Sequence, residues 1–191
     1  IKLLAVAIET EDGIEQRVHP TLVPAGSPIA EVEGVFNAVG LTGDFVDDLM
    51  MQGRGAGAHP TASSVISDIA DIARGIKVPV FATPADSLKP YRRARMRAHE
   101  GGYYVAMTLY DRPGSVACVA NAFSDHGISI ESIEQRAPAG GTRTVINGDP
   151  VAPFILITHD TLESAMRAVI EQISQTGFCA DRPRMIRIER Y

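Results

Sequence analysis

The chain has 191 residues, 45% of them hydrophobic and 21% charged, with a net charge of −5 and two cysteines. That composition belongs to a folded globular protein with room for two modest cores, and no apolar run approaches the roughly 20 residues of a membrane helix. An acidic chain is a poor partner for nucleic acid, and Cys118 and Cys179, each alone among apolar neighbours, read as reduced packing residues of a cytosolic protein.

In chain order, IKLLAVAIE reads as a strand over 1–9. Ile1 opens it without an initiator Met or a signal peptide, so the natural protein is expected to begin further upstream. Asp12 and Gly13 turn into a second strand (14–23), and a short helix is expected near 28–33. Two strands follow, VFNAVGL and FVDDLMMQ, with a hairpin signal at Thr42, Gly43 and Asp44. A helix runs from about Pro60 to Arg74, because Ala62, Val65, Ile66, Ile69, Ile72 and Ala73 recur at helical spacing. Pro60 suits its first turn and Gly75 its end. KVPVFA reads as a last short strand.

Charge then changes. Residues 1–87 hold five Lys or Arg against twelve Asp or Glu, while 88–191 hold thirteen against eleven. Five of those basic residues (Lys89, Arg92, Arg93, Arg95, Arg97) stand in LKPYRRARMR, which reads as a solvated linker bounded by Pro84, Pro90, Gly101 and Gly102. The expected division is therefore 1–87, a linker at 88–101, and a second domain at 102–191.

In the second domain a strand (103–110) precedes a helix striped by Val116, Val119, Ala120 and Phe123 and ending at Gly127. ISIESIEQ is a strand, 138–150 a polar loop, and PFILITHD a strand. A helix with Leu162, Ala165, Met166, Val169, Ile170 and Ile173 on one face follows, with Asp160 and Glu163 spaced as a capping box and Gly177 at its end. RMIRIERY closes the chain as a strand. The order βαββαβ is the ferredoxin-like unit, two helices on one face of a four-stranded antiparallel sheet. The fold class is α+β.

Gly53, Gly55 and Ala58 spell G-x-G-x-x-A, the spacing of a dinucleotide-binding fingerprint. The context argues against one. The strand before it carries Asp47 and Asp48, and no carboxylate stands at 78–83, where a ribose hydroxyl would need it. The bare turn still offers backbone to a ligand, ahead of a helix whose first N–H groups are unpaired.

The stretch VFNAVGLTGDFVDDLMMQGRGAGAHPTASSVISDIADIAR resembles the catalytic region of homoserine dehydrogenase, through Asn37, Ala38, Gly53, Gly55, Ala56, Gly57, Pro60, Thr61, Ala62, Val65 and Asp68. IKLLAVA and HPTLVPAGSPIAEVEGV extend the likeness over about 1–80. The resemblance implies a partial mixed-sheet catalytic domain for substrate binding and dimerisation, whose turn leans on NAD(P) held mainly by an absent N-terminal Rossmann domain. It points to Gly55, Ala56, Gly57 and Thr61 as cofactor contacts. It also implies that the catalytic lysine and carboxylates lie upstream, since Lys2 and Lys77 are the only lysines before the linker and neither is in the family's catalytic context. No catalytic residue is assigned.

Asp111, Arg112, Pro113, Gly114, Ser115 and Val116, between the first strand and helix of the second domain, resemble the DRPG turn of an ACT domain, an amino-acid-sensing module. The likeness implies that they bind an effector, threonine being suspected, with Asn121 and Ile130 lining the same pocket between paired domains. A module that only dimerises is the alternative. His19, His59, His99, His126 and His159 show no metal-ligand spacing, so no metal site is expected.

Together these readings imply an NAD(P)-dependent homoserine dehydrogenase that interconverts L-aspartate 4-semialdehyde and L-homoserine in threonine, methionine and isoleucine biosynthesis. It would be a cytoplasmic homo-oligomer with no nucleic-acid or membrane partner, and this chain alone would be inactive. The competing reading is a free-standing amino-acid-binding protein with a dimerisation platform.

Overall fold

The computed structural model of the chain describes residues 1–79, 81–94, 100–135 and 144–190. Two compact units emerge: Ile1–Pro24 together with Arg93–Tyr191, and Ala25–Arg92. Residues 1–24, expected with the first half, thus group with the second.

The larger unit contains strands β1 (Lys2–Thr10) and β2 (Gly13–Leu22), an antiparallel hairpin in which Thr10 pairs with Gly13. The smaller unit supplies β3 (Phe36–Gly43), β4 (Asp47–Arg54) and helix α1 (Ala58–Ala73). The chain then returns to the larger unit as β5 (Glu100–Tyr110), α2 (Ser115–Asp125), β6 (Ile130–Gln135), β7 (Thr144–Ile146) and β8 (Asp149–Thr158). A two-residue β9 (Thr161–Leu162), α3 (Glu163–Gln175) and β10 (Arg184–Ile188) complete it.

The strand order β10-β5-β8-β6 is that of the expected ferredoxin-like sheet, and each neighbouring pair is antiparallel. Its helix-facing side is the core. Tyr103, Val105, Met107 and Leu109 alternate inward from β5, Phe154 and Leu156 from β8, and they meet Val119, Ala122 and Phe123 of α2 and Met166, Val169, Ile170 and Ile173 of α3. Each fully buried apolar side chain of this size contributes roughly 1.5–3 kcal/mol. The sheet does not stop at β10: β2 lies parallel to it through Arg187 opposite Thr21 and Ile188 opposite Leu22, and β1 follows.

Several sequence expectations are corrected. Residues 28–31 form turns and 32–33 no regular structure, because the bonds from the Ala30 and Glu31 N–H groups both end on the Ser27 carbonyl and no second helical turn follows. Residues 77–79 form no strand, and Val80 lies outside the described residues. The capping box at Asp160 and Glu163 does not form: Leu162 occupies the cap position without a side-chain bond. Glu163 instead turns to Arg167 and to Arg187, the latter 24 positions on. Burial alone would push its carboxyl up, but hydrogen bonds and charge from both arginines outweigh this and hold it below the usual carboxylate range. The polar loop 138–150 contains the β7–β8 hairpin from Thr144 onward, while 138–143 lie outside the described residues, as do Arg95, Arg97 and His99 of the linker. The linker's end is stitched down, with the Ala94 N–H donating to the Ile14 carbonyl at 3.1 Å.

Within Ala25–Arg92, β3 and β4 pair in register from Phe36 opposite Arg54 to Gly43 opposite Asp47. Helix α1 has no buried residue; Val65, Ile66, Ile69 and Ile72 are all more than half exposed. No described helix is long and apolar enough to cross a membrane.

Candidate functional sites

The glycine turn leaves β4 at Arg54 and enters α1 at Ala58. Its conformation is enforced from across the hairpin. The Gly55 N–H donates to the Val35 carbonyl at 3.3 Å, and a Cβ added at Gly55 would lie 2.0 Å from the Asn37 side-chain nitrogen. A larger residue there would have to displace the Asn37 amide. Gly57 caps α1 with φ 125°, and its carbonyl receives both the Thr61 N–H (3.2 Å) and the Thr61 hydroxyl (2.8 Å). Thr61 therefore faces its own turn, closing it. Pro60 has no N–H, so Ala58 and His59 contribute the outward donors of the first turn. The segment 55–59 is exposed throughout, a strip of backbone with small side chains.

The DRPG turn joins β5 to α2. The Asp111 N–H donates to the Pro150 carbonyl at 2.8 Å, anchoring the turn to the start of β8. Arg112 does not point at the helix terminus: it donates to the Gly177 carbonyl at 2.7 Å, with its guanidinium 4.8 Å from the Phe178 ring centre and 5.4 Å from that of Tyr110. Gly114, at φ 94°, is in the left-handed region and caps α2. Ser115 is buried, and its hydroxyl donates to the Tyr110 carbonyl at 2.7 Å. The first helical bond runs from the Cys118 N–H to the Gly114 carbonyl, which leaves the Val116 and Ala117 N–H groups without a carbonyl one turn back. A carboxylate placed there would meet these donors and the positive end of the helix dipole. Val116 and Asn121 are exposed on α2 and Ile130 is half-buried at the start of β6, the strand at the sheet's end.

Asp111 to Gly114 thus form the turn and Ser115 and Val116 open α2, while Asn121 stands further along the same helix and Ile130 on the edge strand. Sequence reasoning placed Gly177 only at the end of α3 and missed that Gly177 and Phe178 hold Arg112 in place. Cys179 beside them has its thiol pushed up to about 11, first by burial and then by the charges of Asp181 and Cys118. Among the described residues no three His, Cys, Asp or Glu side chains are grouped to hold a metal.

The homoserine dehydrogenase family profile matches residues 1–70 and the ACT domain profile matches 103–177. The homoserine dehydrogenase of Pseudomonas aeruginosa is 38% identical over 196 aligned positions, covering all of this chain. Along its whole length the chain is similar to part of these homoserine dehydrogenases. It spans 44% of the Pseudomonas relative and 43% of the Neisseria gonorrhoeae one, which is 35% identical, so it corresponds to less than half of either protein. A crystal structure of a homoserine dehydrogenase from Thiobacillus denitrificans superposes with a TM-score of 0.79 at 35% identity, covering 99% of this chain and 42% of that one. The glycine turn falls inside the first matched segment and the DRPG turn inside the second; β10 lies beyond both.

Proposed function

We propose that the chain is the C-terminal portion of an NAD(P)-dependent homoserine dehydrogenase, acting between L-aspartate 4-semialdehyde and L-homoserine in the cytoplasm as a homo-oligomer. The observation that carries this reading is the glycine turn. Its packing against Asn37 keeps 55–57 free of large side chains, so that a planar ring can approach at backbone distance. The nicotinamide cofactor, when bound, supplies the hydride. The part of this chain is to shape and dry one wall of that site through Gly55, Ala56 and Gly57, with Thr61 holding the turn closed.

The ACT-like module is the sensor. The Val116 and Ala117 N–H groups receive the carboxylate of a small amino acid, threonine by preference, and Gly114 gives the turn its shape. Asn121 and Ile130 border the pocket when two modules meet edge to edge. An effector changes the activity if it binds two arrangements of the pair with different affinity.

The experiment compares the intact gene product with residues 1–191 alone, assaying NAD(P)H oxidation with L-aspartate 4-semialdehyde. Turnover by the intact product and none by the 191-residue chain supports the reading. A gene product that starts just before Ile1 and binds amino acids without turnover replaces it with the free-standing sensor.

A further inference from the structure

Strand β10 stands between two regions that different family profiles match, with β5 on one side and β2 on the other. Its contact with β2 is short in backbone terms: two residue pairs, extended by the Glu189 N–H, which donates to the Leu22 carbonyl at 3.0 Å. Side chains make up the difference. Arg17, in the middle of β2, places one guanidinium nitrogen 2.8 Å from a Glu189 carboxylate oxygen and the other 2.8 Å from one of Glu15. These side chains are 8%, 12% and 7% exposed. The His19 ring lies 4.0 Å from the same Glu189 oxygen. Burial works against the Arg17 charge, but Glu189 and Glu15 outweigh it and hold the guanidinium more firmly protonated.

A buried ion pair of this kind adds little net stability over an apolar pair, yet separating it is costly, because each charge is left without water or partner. The pairing therefore resists relative movement more than it strengthens the fold. Two residues back, Arg187 runs the other way, from β10 to Glu163 at the start of α3. The segment 187–189 thus carries one buried carboxylate–guanidinium contact into the sensor module and one into the β1–β2 hairpin.

We propose that Arg17 and Glu189 are a positioning pair that welds the β1–β2 hairpin to the last strand of the sensor module, so that the hairpin moves with the module when an effector displaces it. The hairpin is then the part of the dehydrogenase segment through which the sensor acts. This rests on the regulatory reading given above, and the weld is measured separately from it.

The test uses the intact enzyme carrying Glu189→Gln, Arg17→Met, both together, or Arg17→Lys. Two readouts are taken: backbone hydrogen exchange over 15–22, and NAD(P)H oxidation titrated with L-threonine. Each of the first two single variants is expected to speed hairpin exchange at least tenfold while leaving α2 and α3 protected, and the double variant to add little beyond either. Maximal inhibition by threonine falls by half or more with the uninhibited kcat and KM unchanged, and Arg17→Lys, which keeps a charge, recovers part of it. A wild type inhibited by threonine, with variants inhibited to the same extent, overturns the coupling; additive or unchanged exchange overturns the weld. A wild type that threonine does not inhibit overturns the regulatory reading together with the coupling, leaving exchange to decide the weld alone.

Discussion

Changing Glu163 to Gln removes the anion from a partly buried charge cluster of the ACT-like module while conserving its shape. In the native structure the Glu163 carboxylate is 9% exposed and takes hydrogen bonds from Arg187, 18% exposed, and Arg167, 68% exposed. The two partners lose different amounts. Arg167 is a surface residue one helical turn away, and its pair is worth at most about 1 kcal/mol. Arg187 is left as a poorly hydrated charge beside the core, a change that costs about 3–5 kcal/mol when burial is complete. Allowing for its residual exposure, and for the glutamine oxygen as a weaker acceptor, we expect a loss of about 2–4 kcal/mol. The assay is urea unfolding. The chain has no tryptophan and four of its five tyrosines lie in 93–191, so tyrosine fluorescence follows this unit. With a slope near 2 kcal/mol per molar urea, the midpoint should fall by about 1–2 M. Adding Arg187→Met should recover part of the loss, since the unpaired charge is then gone. A shift under about 0.3 M for Glu163→Gln, or a double variant weaker than the single, refutes the reasoning.

The same carboxyl sets an acid limit. Held below its ordinary 4.5 in the folded chain, it binds its proton more readily when unfolded, so its contribution is complete above about pH 5 and is lost as pH falls through the folded value. Urea midpoints between pH 3 and 7 should show this in the wild type and not in Glu163→Gln. At the alkaline end, burial and then the Glu163 charge raise the Tyr103 phenol to about 12, so stability should be lost as pH climbs from 10 through that value, and Tyr103→Phe should remove this loss. Gly55→Val in the intact enzyme drives a side chain into Asn37, and Gly57→Val strains φ 125°; each should raise the cofactor KM or lower kcat while the circular dichroism of the ACT-like module is unchanged. Unchanged kinetics in both would reduce the turn to a connector. Gly114→Val, at φ 94°, should cost about 1–3 kcal/mol and abolish inhibition by amino acids at normal uninhibited rates, as an inhibition curve would show.

Much of the ACT-like module was legible because its signals are local and repeated. Alternation along β5 and the helical stripes of α2 and α3 place Tyr103, Phe123, Met166 and Ile173 in one core without reference to distant residues. The β7–β8 hairpin was missed although its sign stands in the sequence: Asn147 and Gly148, both at positive φ, form the dipeptide that turns two strands tightly. Glu163 was misread for a different reason. Three residues after Asp160 it fits a capping box, and only a partner brought in by the sheet, Arg187, decides otherwise. The parallel contact of β2 with β10 joins residues more than 160 positions apart through two pairs, too few to leave any periodic trace. At the two candidate sites the glycines could be read from sequence, because they answer to local backbone shape. Asn37 beside Gly55 and Phe178 beside Arg112 could not be placed there, since their positions depend on the pairing of neighbouring elements.

The central claim is that one polypeptide joins dehydrogenase catalysis to an amino-acid sensor built on the DRPG turn. Its most direct test is the initial rate of NAD(P)H oxidation by the intact enzyme with L-aspartate 4-semialdehyde, titrated with L-threonine in the wild type and in Gly114→Val. The account predicts turnover that threonine suppresses in the wild type and leaves untouched in the variant. Absence of turnover, or equal suppression of both proteins, would contradict it.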